Sequence, residues 1–150
     1  MTKKIKIGVL VLVLITIFFL TRNIYVQIYI QESTREAMNK GMEYEKAGKY
    51  DAAITEFNKA IKLNPRFIQA YNNRGVAYNA KGELNQAIAD YNKAIELNPK
   101  YAEAYNNLAV VYYFKQDYSR AWSNVHRAEE LGDENRRLIE LLKKESGRDE

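Results

Sequence analysis

One histidine, His126, and no cysteine leave this chain few side chains suited to covalent or metal chemistry. Without cysteine there is no disulfide framework, no thiolate zinc site and no cysteine nucleophile. Carboxylates are numerous, but the nearest pairs, Glu43/Glu45 and Glu129/Glu130, sit next to or nearly next to each other along single segments. General acid–base catalysis needs groups that converge on one reacting atom. Charges one or two residues apart on a helix do not face each other and stay solvated. Gly41, Gly48, Gly75 and Gly82 invite a phosphate-cradling loop, yet they recur at a fixed interval instead of clustering. Nothing assembles a nucleophile, a base and an oxyanion donor. The expectation is a protein that is not an enzyme, with no catalytic residue, no metal, no cofactor and no small-molecule substrate.

The net charge of +4 and pI near 9.1 raise the question of nucleic acid. Lys3, Lys4, Lys6 and Arg22 all precede residue 31, where no acidic residue occurs. With these four set aside, basic and acidic residues are equal in number, so no nucleic-acid partner is expected. The basic cluster opens a segment that is apolar from Ile7 to Leu20 except at Thr16. As a helix, Lys6 to Arg22 spans ~24 Å, a little under the ~30 Å of a bilayer core. Snorkelling of the flanking cations closes that difference, and Tyr25 and Tyr29 suit a membrane interface. No small-residue cleavage site follows Leu20, which favours an uncleaved signal anchor over a cleaved secretory signal. Membrane contact is expected through about residues 5–30. The basic flank puts the N-terminus in the cytoplasm and the rest on the outer side, periplasmic in a Gram-negative cell. The alternative is a secreted or periplasmic domain after signal cleavage. Ser33-Thr-Arg-Glu36 has the form of a capping box, so a fresh helix and the soluble domain are expected to begin there.

What positions the remaining side chains is a repeat. Pro65 and Pro99 are 34 residues apart, as are Gly41/Gly75, Gly48/Gly82, Tyr44/Tyr78, Ala53/Ala87 and Ala60/Ala94. The period continues through Tyr112, Ala121 and Ala128. A strict period of this length indicates a solenoid. Within the second copy, Tyr71, Arg74/Gly75 and Tyr78 share a helical face, and Leu84, Ala87, Ile88, Tyr91, Ala94 and Ile95 share another. Each copy therefore reads as a helical hairpin, closed by Asn98-Pro99 in the second. After it, Leu138, Ile139, Leu141 and Leu142 form an apolar stripe that Asp133 can cap, and the final Ser-Gly-Arg-Asp-Glu reads as a frayed tail.

The second copy, Tyr71, Arg74-Gly75, Tyr78, Ala87, Tyr91, Ala94 and Pro99, resembles the tetratricopeptide repeat (TPR) pattern. So does the first, Ala37, Lys40-Gly41, Tyr44, Ala53, Phe57, Ala60 and Pro65. The third reads Tyr105, Leu108-Ala109, Tyr112, Ala121, Val125 and Ala128, with Asp133 in place of proline. The resemblance implies an all-α, right-handed superhelix of three hairpins (about 34–67, 68–101 and 102–133) and a capping helix (about 133–145). That gives an anchor segment at 1–32, a repeat domain at 33–145, a tail at 146–150, and seven helices after the transmembrane helix.

By the same resemblance, a protein or peptide partner binds a concave groove lined by each hairpin's first helix. The positions carried over are Arg35, Met38, Asn39, Met42, Glu45 and Lys46 in the first copy. In the second they are Gln69, Asn72, Asn73, Val76, Asn79 and Ala80. In the third they are Glu103, Asn106, Asn107, Val110, Tyr113 and Phe114. Asn amides offer a donor and an acceptor to a peptide backbone, and Met38, Met42, Val76, Val110, Tyr113 and Phe114 offer apolar contact. Asn73 and Asn107 equally suit a structural hydrogen-bonding role, and Tyr113 and Phe114 packing against the cap or a partner subunit. Family members that clamp the acidic C-terminus of chaperones use Lys, Asn and Arg at positions held here by Met38, Met42, Asn73, Glu103 and Asn107. Only Asn73 matches, so a two-carboxylate clamp is disfavoured. The function expected is a membrane-tethered scaffold or adaptor that helps organise a membrane-associated complex. The alternative is an accessory subunit of a larger membrane complex, held by its transmembrane helix and outer faces.

Overall fold

A computed structural model describes residues 3–147; the side chains of residues 3–11, 13 and 146 fall outside the described set. Among the described residues seven α-helices follow one another: α1 (Lys3–Lys46), α2 (Tyr50–Leu63), α3 (Ile68–Ala80), α4 (Leu84–Leu97), α5 (Ala102–Phe114), α6 (Tyr118–Glu130) and α7 (Arg136–Ser146). The count is one fewer than the sequence predicted, because the segment predicted as an anchor and the first repeat helix are one uninterrupted α1. The helix start predicted at Ser33 does not occur. No glycine or proline interrupts residues 24–40, and the Thr34 hydroxyl donates to the Ile30 carbonyl at 2.7 Å within the helix. Glu36 reaches forward to Lys40 rather than back to a cap.

Among the described residues no helix is long and apolar enough to cross a membrane. Side chains of the predicted apolar run at Ile7–Val11 and Val13 lie outside those residues. From Leu12 onward the run is exposed, including Phe18, Phe19, Leu20, Ile24, Tyr25 and Tyr29.

The hairpin turns share one device. In the second copy Gly82 N–H donates to Asn79 O and Glu83 N–H to Tyr78 O, both at 2.9 Å, a Schellman closure of α3. The closure needs a left-handed residue, and Gly82 has φ +77°. The third copy makes the same two bonds, Gln116 N–H to Tyr113 O and Asp117 N–H to Tyr112 O, with Gln116 at φ 59°. The other junctions end with Asn64 and Asn98 in extended backbone ahead of Pro65 and Pro99, as expected. Each of these asparagines also folds back, its Oδ1 accepting from Arg66 N or Lys100 N.

α1 pairs with α2, α3 with α4 and α5 with α6, and successive hairpins stack. The first helices also touch one another, α1 to α3 and α3 to α5, so the stack curves toward that layer. Two apolar clusters result. One joins Ala37, Met38, Ala53, Phe57, Ala60 and Ala77. The other joins Tyr91, Leu108, Val111, Tyr112, Trp122 and Val125 to Leu138 and Leu142 of α7. A Cβ on Gly75 would stand 2.7 Å from the Tyr91 ring, and one on Gly41 would collide with the Phe57 ring. Within the second hairpin, Arg74 Nε and Nη2 on α3 hold Asp90 of α4 at 2.7 and 2.6 Å, while Nη1 reaches the hairpin before it, donating to Asn58 of α2. Asp90 is buried, so its charge is tolerated only with this bidentate partner.

The cap helix begins later than predicted. Asn135, not Asp133, is its N-cap: Asn135 Oδ1 accepts from Leu138 N at 3.1 Å. Asp133 instead belongs to the turn, its N–H donating to Ala128 O and its carbonyl accepting from Asn106 Nδ2. Gly147 ends α7 at φ 63°; residues 148–150 of the predicted tail lie outside the described set.

Candidate functional site: the inner helix layer

α1, α3 and α5 carry the predicted groove positions, and burial divides those positions into two groups. Met38, Asn72 and Asn106 are buried, which corrects the expectation that they line an open groove. Met38 packs into the first apolar cluster. Asn72 is fully buried because α5 lies over it: its Nδ2 donates to Glu103 Oε1 at 2.9 Å and to Asn73 Oδ1 at 3.3 Å, and its Oδ1 accepts from Asn107 Nδ2 at 3.0 Å. Asn73 and Asn107 thus join a structural amide network, as one sequence reading had them. Tyr101 extends the network, donating from its hydroxyl to Glu103 Oε2 at 2.7 Å. Asn106, one repeat after Asn72, donates to Asp133 O at 3.2 Å, and its Oδ1 has no partner among the described residues. The shift from Asn72 to Asn106 marks where repeats stop: α7 brings leucines, not amides, to this end.

The other predicted positions remain accessible. Arg35, Asn39, Lys46, Gln69, Ala80, Glu103 and Phe114 are exposed, while Met42, Glu45, Val76, Asn79, Val110 and Tyr113 are half-buried. Phe114 is the most open large apolar side chain of the repeats, 63% exposed. It meets Tyr113 edge to face at 5.8 Å, and Tyr113 meets Tyr118 at 6.0 Å. Tyr113 packs against the apolar cluster that Leu138 and Leu142 of α7 also join, as one sequence reading had it, while Phe114 stays open, so these rings form a ledge at the last repeat. Burial raises the Glu45 carboxyl above its ordinary range; Lys46 opposes this and the negative charge of Glu103 adds to it. The same two glutamates, after burial and Asp90, push up the Tyr91 hydroxyl. Glu45 and Glu103 thus bring two carboxylates to the inner layer, opposite in sign to what a carboxylate clamp needs at those positions.

Sequence reading missed a second concavity. α1 and the α2–α3 loop enclose a cleft of about 550 Å³, lined by Gln27, Gln31 and Arg35 on one side and Asn64, Pro65 and Phe67 on the other. Its α1 half belongs to the segment predicted to be anchor and boundary, so no groove position pointed to it.

His126 lies exposed on α6, its ring tilted by 33° against that of Trp122 with centroids 5.4 Å apart. Among the described residues no group of three or more His, Asp or Glu gathers to hold a metal ion.

A sequence model of the TPR repeat matches residues 41–82 and 77–116. The chain belongs to the tetratricopeptide repeat family. No curated protein matches the TPR chain in sequence. Among solved structures it is similar to the first TPR of Spaghetti (RPAP3) bound to the HSP90 peptide SRMEEVD. Identity there is 29% and the TM-score 0.72, over 77% of this chain and 92% of that one. The first TPR domain of human RPAP3 is 30% identical with a TM-score of 0.70, over 76% and 90%. The complex of the yeast Sti1 TPR2B domain with pHsp70 is 28% identical with a TM-score of 0.72, over 77% and 98%. TPR domains of this kind serve as protein-interaction modules, and those in the two complexes are seen with chaperone peptides.

Proposed function

We propose that the protein is a membrane-tethered TPR scaffold that grips a segment of a partner protein along α1, α3 and α5. The observation that carries the reading is the Tyr113–Phe114 ledge, open at the end of an inner layer whose Asn72, Asn73 and Asn107 amides are already committed to one another. An apolar or aromatic partner side chain is what such a ledge stabilises. The acidic Glu45/Glu103 stretch supports a partner that is neutral or cationic nearby, and Met38, buried and apolar, removes one clamp position. The tether rests on the exposed apolar surface of α1 between Leu12 and Tyr29, which no other described residue covers. Its basic flank supports an N-terminus in the cytoplasm and the repeats on the outer side.

A photo-crosslinker placed at Phe114 in the full chain, in its native membrane, tests this. A discrete adduct there, absent when the crosslinker sits at exposed Ala89 of α4, is the expected result. The second reading, an accessory subunit held through its membrane segment, draws on the same exposed α1 surface. It predicts adducts from Ile24 or Ile28 and none from Phe114, and that outcome would overturn the groove.

A further inference from the structure

The cleft between α1 and the α2–α3 loop has a place fixed by the helix that forms it. A hydrocarbon layer ~30 Å thick takes about 20 helical residues, so a span entered just after Lys6 ends near Val26. Headgroups add about 5–7 Å beyond it, a further turn or so. Gln27 and Gln31 then stand in the headgroup layer, with Arg35 just above it. α1 continues unbroken through this region, so no joint lets the cleft turn aside.

The chemistry around the cleft is one-sided. Arg35 and, in the facing loop, exposed Arg66 have no carboxylate partner among the described residues; nor has Lys62 one turn before the loop. The acidic residues of α1 nearby, Glu32 and Glu36, turn away: at ~100° per residue both lie toward the opposite face from Gln27, Gln31 and Thr34. Asn64 uses its carbonyl oxygen on Arg66 N–H, leaving its amide hydrogens to point elsewhere. Below the cleft, on the same side of α1, come Ile24 and Leu20, exposed at 57% and 62%. Cations and amides above, with an apolar track leading downward, are the two halves of an amphiphile in the right order.

We infer that this cleft binds the phosphate headgroup of an anionic membrane phospholipid, with Arg35 of the cleft wall facing the phosphate, Gln31 and Asn64 beside it, Arg66 adding its charge from the adjoining loop surface, and an acyl chain along Ile24 and Leu20. The inference rests on the membrane tether proposed above. It assigns the cleft to lipid rather than to an acidic peptide because the apolar track continues below it, where a peptide leaving the cleft would have to enter the bilayer.

The test uses the full chain with vesicles of phosphatidylcholine, with and without phosphatidylglycerol, read by flotation and by native mass spectrometry of bound lipid. Expected are flotation with both, retained phosphatidylglycerol in preference to phosphatidylcholine, and loss of that preference by about tenfold or more in Arg35→Ala/Arg66→Ala. Arg35→Lys/Arg66→Lys should keep most of the preference, and all variants should keep the helical circular dichroism of the parent. Glycerol 1-phosphate and an acidic peptide serve as soluble competitors. If either displaces phosphatidylglycerol at equal concentration, the cleft is a soluble anion or peptide site and the lipid assignment is overturned. An unchanged preference in the alanine variant also overturns it while leaving the tether intact. A chain that fails to float overturns the tether and the lipid site with it.

Discussion

Gly41, Gly75 and Ala109 sit one repeat apart, and sixteen residues after each stand Phe57, Tyr91 and Val125. Where the later residue carries a ring, the earlier one has no Cβ; where the ring is gone, alanine fits. The third copy lost its glycine because it lost the ring, a pairing visible only when both helices of a hairpin are seen together. Gly75→Ala is expected to cost about 1–3 kcal/mol through overpacking. In a thermal-denaturation double-mutant cycle, the same change should cost less when Tyr91 is already valine. Equal costs in the two backgrounds would show that the ring is not what excludes the methyl group. Glu45 gives a second prediction. Its carboxyl is raised from an ordinary value of 4.5, chiefly by burial, so the folded state holds that proton more tightly than the unfolded chain. The penalty for ionising it is absent below that value and grows as pH rises through the folded-state pKa. Glu45→Gln should therefore be more stable than the parent at pH 7, with the advantage gone near pH 3.5. A constant difference across that range would disprove the burial account.

At the scale of elements, the hairpins were legible in the sequence and the ends were not. A 34-residue period fixes helix, turn and helix three times over, and the Asn-Pro junctions and Gly turns lie where the pattern put them. The start of the first hairpin was misread because Ser33 and Glu36 have the right types for a capping box. A cap needs chain that leaves the helix, however, and residues 24–40 contain nothing that would make it leave. The cap of α7 was displaced by two residues for a related reason. Asp133 is a good N-cap by type, but the closure of α6 uses its N–H and its carbonyl takes Asn106. Asn135→Ala is expected to lower stability by about 1 kcal/mol, while Asp133→Ala, acting through a side chain not used in the cap, should lower it by much less. Equal losses in chemical denaturation would restore Asp133 as the cap. The groove was legible by face but not by depth. Helical phase placed Asn72 and Asn106 on the inner layer; only the seating of α5 over α3, and of the α6–α7 turn over α5, reveals that they are covered.

At the scale of the whole molecule, the repeats and the apolar segment share α1. Labels on the two parts should therefore report a single arrangement. The chain has no cysteine of its own, so Asn23→Cys and Ala89→Cys place two spin labels cleanly. One narrow distance distribution is expected between them, broadened when two glycines are inserted after Gln31. A broad distribution in the parent would mean that α1 bends between its two duties.

A rod without a joint also ties bearing to height. Removing one residue between Arg22 and Thr34 would lower the repeats by only ~1.5 Å but swing them by ~100° about α1. Seven residues would move them by about 10 Å with a net turn of only ~20°. In the proposed arrangement tether length is thus a compass setting as well as a ruler, and single-residue changes in it act mainly on which way the inner layer faces.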